Sequence, residues 1–187
     1  MMLRFALLYA ALLLGANAAF AIDPAALEAL RKGDMAHLIV APEPKPLPDV
    51  PFTDDEGRPV SLSDWRGKVV LLNFWSVSCV PCREEMPALN ALEKAMGGDD
   101  FAVVPIAFGY NHPAALARFV ETYQIDALPL LLDKARALSA RAGVVAPPVT
   151  LLLDREGREV ARLIGGADWD SPEARALISA LIDDPAS

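Results

Sequence analysis

The chain has 187 residues but only two cysteines and two histidines, and each scarcity closes off a class of function. Cys79 and Cys82 stand in one motif, so no further pair exists from which a stabilising disulfide framework could be built. As a local staple the pair is poor, because closing so short a loop removes little unfolded-state entropy. A structural zinc site needs two more ligands, and neither His37 nor His112 lies at ligand spacing from the cysteines. Basic residues are outnumbered, with 17 Lys and Arg against 25 Asp and Glu, a formal charge of −8. No basic stripe is available to neutralise phosphates, which argues against nucleic acid. An acidic surface permits a basic protein partner but more often marks only a soluble surface. No internal repeat is visible.

What is present begins with a hydrophobic content of 53%, enough for one well-buried domain with extensions. At the N-terminus a short positive start, Met1–Arg4, precedes the apolar stretch Phe5–Leu14 and the small-x-small pattern Ala19–Phe20–Ala21. That order reads as a secretory signal peptide over residues 1–21, cut between Ala21 and Ile22. The competing reading is an uncleaved anchor, since apolar residues continue to Ile22 and approach the ~20 that a membrane span requires. Both readings export the domain.

The stretch Val69–Pro87 organises the rest. It opens as an apolar run of strand length and breaks at Ser76–Ser78. Beyond the break, Met86, Leu89, Leu92 and Met96 recur at helical steps. The cysteines therefore sit where a helix begins, and its free N–H groups and positive dipole end favour a thiolate. Two sulfurs three residues apart on a first helical turn can also close a disulfide. Cys79, nearest the N-cap, is expected to be the exposed attacker and Cys82, one turn in, the resolving thiol. Glu85 projects into the apolar sector of Leu89, Leu92 and Met96, one turn beyond Cys82, where burial would raise its pKa and let it exchange a proton with the thiol. Alternatively Pro87 kinks the helix and turns Glu85 to solvent. Asn73, six residues before Cys79, carries no charge and reads as a hydrogen-bonded strand residue.

The segment Trp75–Ser–Val–Ser–Cys79–Val–Pro–Cys82–Arg–Glu–Glu85–Met–Pro87 resembles the active-site segment of the TlpA-type branch of the thioredoxin superfamily. Ser78 departs from it, since that branch commonly has Trp before the first Cys, and part of an aromatic wall is lost. The likeness spans roughly residues 52–182. It implies an α/β thioredoxin fold, a mixed central sheet with flanking helices, an N-terminal β-hairpin extension and a helix–strand insertion before a cis-proline loop. It places that cis-proline at Pro148 and implies that Glu85 tunes the buried thiol. The contacts with substrate would come from Trp75, Val80, Pro81, Pro147 and Pro148. Pro147 is unusual there and removes an N–H that a docking peptide could use.

The remaining chain fits an α/β order. Asp23–Pro24, Ala25–Lys32 and Gly33 read as a capped helix, either docked or a solvated spacer, followed by a Pro-rich connector at 41–51; together residues 22–51 precede a domain over 52–187. Phe52–Leu62 reads as a hairpin, Phe101–Phe108 as a strand, Pro113–Tyr123 as a helix, Leu128–Leu132 as a strand and Lys134–Arg141 as a short helix. Val149–Leu153 and Arg158–Ile164 form a closing hairpin, and Pro172–Ile182 a last helix. His112 and Trp169 read as ordinary loop and packing residues.

The function expected is an exported, periplasmic thiol-disulfide reductase whose only redox group is the Cys79–Cys82 disulfide, with no metal or other cofactor. The resemblance implies partners with cysteine pairs in copper delivery or apocytochrome assembly, and a membrane electron donor. The rivals are a net oxidant or isomerase, and a copper-binding metallochaperone using Cys79 and Cys82 as soft ligands. A peroxidase of the Pro-x-x-x-Thr-x-x-Cys type is weaker, because Leu72 stands where the proline would be.

Overall fold

Strand β4 (Val69–Trp75) is buried along its whole length. It can be, because it lies between β5 (Phe101–Phe108), parallel to it, and β7 (Val149–Leu153), antiparallel. Helices cover both faces, so a continuous apolar run replaces alternation with polar residues. The computed structural model describes residues 23–184 and arranges them as one eight-stranded sheet. The outer strands are β1 (Ile39–Pro46), β2 (Phe52–Asp54), β3 (Pro59–Val60), β6 (Leu131–Asp133) and β8 (Arg158–Ile164), in the order β1-β8-β7-β4-β5-β6-β2-β3.

The period-two pattern of β4 splits the interior in two. Val69, Leu71 and Trp75 enter a core shared with α1 (Pro24–Ala29), α2 (Val80–Met96), α3 (Pro113–Thr122) and α5 (Pro172–Asp183). Val70, Leu72 and Phe74 enter the other, closed by α4 (Ala137–Arg141) and the β2–β3 hairpin. The parallel pairs β4–β5 and β5–β6 are joined through α2 and α3, as parallel pairing demands of its crossovers. The α3–β6 unit is the helix–strand insertion, and the hairpin extension pairs with it at the far edge. This is the thioredoxin-like fold that the sequence implied.

Several local expectations are corrected. The proline-rich segment is not a connector over its length, since β1 pairs antiparallel with β8. Prolines are tolerated because β1 is an edge strand needing one paired side, and its register shifts between Val40 and Lys45. Nor does the folded unit begin at 52: Leu27, Met35 and Leu38 are each fully buried in the first core, so the N-terminal helix is docked. That helix stops at Ala29, with Asp23 accepting from Ala25 N–H at 2.9 Å as its cap. β6 is shorter than expected, beginning only after Pro129, which has no N–H to give a ladder. α4 starts late, at Ala137, where the Asp133 carboxylate takes the N–H groups of Ala137 and Ser139, both at 2.8 Å. The leader expected at 1–21 lies outside the described residues, among which no helix is long and apolar enough to cross a membrane.

A docked N-terminal segment should contribute to stability. Leu27→Ala is expected to cost about 2–5 kcal/mol in urea denaturation, whereas a solvated spacer would shift stability by less than about 0.5 kcal/mol.

Candidate active site

The chain leaves β4 at Trp75, turns through Ser76–Ser78 and enters α2 with Cys79 as its N-cap. The Cys79 sulfur accepts from Cys82 N–H at 3.3 Å, the place an oxygen takes in an ordinary cap. A thiolate there would receive the same N–H and the positive end of the helix dipole. The sulfurs are bonded to each other at 2.07 Å, and exposure separates them: Cys79 is half-buried and Cys82 is fully buried. Asn111, buried in the loop after β5, pins the turn that delivers them. Its Oδ1 accepts from Val77 N–H at 2.9 Å and from Ser76 Oγ at 3.1 Å, and its Nδ2 donates to the Phe108 carbonyl at 3.2 Å.

α2 runs unbroken through Pro87, and Glu85 is 4% exposed, so the kink that would turn it to solvent does not occur. Its Oε1 accepts from Asn73 Nδ2 at 2.8 Å, and its Oε2 from Ala167 N–H at 3.3 Å. Burial pushes the Glu85 carboxyl up to about 7, against the opposing pull of the bonds from Asn73 and Ala167 and the nearby Trp169 indole. Asn73 is fully buried and also donates to Thr150 Oγ1 at 2.9 Å, its register partner on β7. Continued one residue, that register brings Pro148 beside Trp75, and the Pro147–Pro148 peptide is cis.

A third wall comes from the loop at 165–169. Gly165 N–H donates to the Pro148 carbonyl at 3.0 Å. A Cβ at Gly166 would lie 3.5 Å from Pro81 Cβ and 3.7 Å from Glu85 Oε2, so the backbone passes close to both. Trp169, expected as ordinary packing, is fully buried close to Glu85. Asp168 N–H is held by Asp34 Oδ2 at 2.9 Å, which ties the N-terminal segment to this wall. The result is an open cleft of about 400 Å³ lined by Asp34, Pro81, Glu84, Glu85, Gly166 and Asp168.

Of the residues singled out from the sequence, Cys79 and Cys82 are bonded to each other, Pro81 and Glu85 line one cleft, and Pro148 is tied to the loop of that cleft through Gly165. Val80 is 57% exposed beside them, and Pro147 is half-buried at the cis bond. Trp75 is 3% exposed and packs on Phe119 at 5.4 Å, which makes it core more than surface. It also lines a cavity of about 460 Å³ that neither cysteine reaches. Asn111, Thr150 and the loop at 165–169 were missed by sequence reasoning, because only strand register and loop placement bring them to the site.

A sequence model of the AhpC/TSA family matches residues 44–161. The chain is 38% identical over 117 residues to thioredoxin-like protein YneN of Bacillus subtilis, covering 62% of this chain and 67% of that one. It is 32% identical over 121 residues to thiol-disulfide oxidoreductase ResA of Bacillus thuringiensis, covering 65% and 69%. A secreted thiol-disulfide isomerase from Corynebacterium glutamicum superposes with a TM-score of 0.66 at 25% identity, over 79% of this chain and 93% of that one.

The raised Glu85 pKa fixes a pH dependence. The native state holds this proton more tightly than the unfolded chain, so stability is lost as the pH rises from 4.5 through about 7. Glu85→Gln stays neutral and escapes that loss. Across the window, denaturation of the oxidised protein should show the variant gaining on the parent by on the order of 3 kcal/mol. A difference that does not change with pH would show that Glu85 titrates normally.

Proposed function

The chain belongs to the AhpC/TSA family of thioredoxin-like proteins, and on that premise we propose that this thiol-disulfide oxidoreductase is an exported reductant of disulfides in partner proteins. The Cys79 thiolate attacks one sulfur of the partner's disulfide, forming a mixed disulfide and releasing the partner's other sulfur as a thiolate that takes a proton. Cys82 then attacks the Cys79 sulfur and frees the second partner thiol. Two electrons have passed to the partner, and the Cys79–Cys82 disulfide remains.

The observation that carries this reading is the carboxylate of Glu85, buried one turn beyond a fully buried sulfur and with a pKa near 7. Cys82 must lose a proton to resolve the mixed disulfide, and a buried carboxyl one turn away supports Glu85 as its acceptor. Val80 and Pro81, both exposed, offer the partner its contact surface beside Cys79. The Pro147–Pro148 pair offers no N–H, and the Pro148 carbonyl is already taken by Gly165, which leaves the Pro147 carbonyl as its acceptor.

The reducing direction follows from what surrounds the thiolate. Val80 and Pro81 add no charge between the cysteines, while Glu84 and Glu85 oppose additional negative charge. Helix N-terminal stabilisation is worth roughly 1 kcal/mol, against about 7 kcal/mol separating DsbA near −120 mV from thioredoxin near −270 mV. The dipole alone does not reach the oxidising end. A reductant outside the cytoplasm must be recharged, and a membrane electron donor is the source consistent with the N-terminal leader read from the sequence. Its substrates would be cysteine pairs in copper-delivery or cytochrome-assembly proteins, as the TlpA-type resemblance implies.

Two measurements check this reading. Brief alkylation of the reduced protein should modify Cys79 well before Cys82, and Cys82→Ser should accumulate mixed disulfides where Cys79→Ser does not; trapping by the wrong variant would reverse the roles. Equilibration against glutathione, followed by tryptophan fluorescence, should return a potential nearer −270 than −120 mV on the scale of those two proteins. A value at the DsbA end would make the protein an oxidant.

A further inference from the structure

At about 100° per residue, Arg83 points away from the side of α2 that carries Pro81, Glu84, Glu85 and Ala88. It opens instead onto a groove of about 210 Å³ lined by Val77, Arg83, Ala115, Arg118, Phe119 and Tyr123. Phe119 and Tyr123 pack as a tilted pair with centroids 4.6 Å apart and give the groove an aromatic wall. The charge in it is unspent. Arg155, Arg158, Arg162 and Arg175 are each held by a carboxylate, but Arg83 and Arg118 make no ion pair or side-chain hydrogen bond among the described residues. The Arg83 Nε is moreover buried without a partner. On a chain of net charge −8, two guanidinium groups without an ion pair line this one groove.

The groove adjoins the dithiol. Val77 lies two residues before Cys79, and Arg83 lies one turn after it, its N–H bonded to the Cys79 carbonyl at 3.2 Å. We propose that this groove receives an acidic side chain of the partner protein, a few residues from the cysteine that Cys79 attacks. Guanidinium forks suit a carboxylate, and charge complementarity names the occupant. The other side of α2 supplies the opposite sign, because Asp34, Glu84 and Asp168 line the cleft there. An acidic flank is attracted to one side of the dithiol and repelled from the other, so the partner chain crosses Cys79 in one direction.

This proposal rests on the reductant reading, and the test separates the two. Two disulfide peptides are compared that differ only in a Glu or Gln pair beside one cysteine, with the reduced full chain as reductant at low ionic strength. The Glu peptide should be reduced about fivefold faster, and added salt should erase the preference. In Arg83→Gln/Arg118→Gln the ratio should fall to near one. In Arg83→Glu/Arg118→Glu a third, Lys-flanked peptide should instead be favoured over the Glu-flanked one, a reversal that misfolding cannot produce. Equal rates in the parent, or a preference that survives loss of both arginines, overturns the groove alone. A parent that reduces neither peptide overturns the reductant reading and the groove with it.

Discussion

Taking the Glu85 carboxylate out of water is costly unless donors reach it, and those donors come from two distant parts of the chain. Asn73 supplies one from the middle of β4, and Ala167 supplies the other from the loop between β8 and α5. The first requires that α2 pack across the face of β4 that carries Leu71 and Trp75. The second requires that β8 end where the backbone of Gly166 can pass close to Pro81. Asn73 is itself held by Thr150 through the β4–β7 register, the same register that sets Pro148 beside Trp75. One buried acid thus ties together the helix that carries the cysteines, the strand before them, the cis-proline loop and the terminal hairpin. A one-residue slip of β7 would turn Thr150 to the other face and separate these parts together.

The same helix divides the surface of the site by charge. Its acidic side is built from groups that oppose extra negative charge near the sulfurs, and this favours the disulfide over the thiolate. Its basic side is set one turn beyond Cys79, on side chains free to meet a partner. The acidic and the basic group neighbour different sulfurs: Glu85 lies one turn from Cys82, Arg83 one turn from Cys79. On the proposed reading, the attacking and the proton-losing roles thus fall to different thiols without any charged residue between the cysteines.

Much of this was legible in the sequence because buried strands and amphipathic helices leave periodic traces. The limits of β4, β5, β7 and β8 follow from apolar runs that end at turn residues. Glu85 was legible because a carboxylate on an apolar helix face is conspicuous at a period of 3.6. The proline segment was misread because its prolines forbid a central strand, whereas an edge strand with a shifted register accepts three of them, Pro42, Pro44 and Pro46. The loop at 165–169 left no trace at all. Gly165–Gly166–Ala167–Asp168–Trp169 has no period, and its place against Glu85 is decided by where β8 ends. The groove of Arg83 and Arg118 was hidden for the same reason, since only the packing of α3 beside α2 brings the two guanidinium groups together.

The N-terminal segment then acquires a reason to be part of the domain. Leu27, Met35 and Leu38 anchor it in the core, and β1 extends the sheet on the side of β8. Those contacts place Asp34 where its carboxylate accepts the Asp168 N–H. Asp168 follows Ala167, whose own N–H is bonded to Glu85, so Asp34 steadies the backbone that partners the buried acid. A single exposed hydrogen bond contributes little to overall stability. Its effect is local: holding the loop keeps the Ala167 N–H in range of Glu85, and losing that donor would leave burial less opposed and drive the carboxyl pKa higher still. On the reading proposed above, the extension would act on proton transfer at the dithiol from outside the active-site motif, through the loop that lines the cleft.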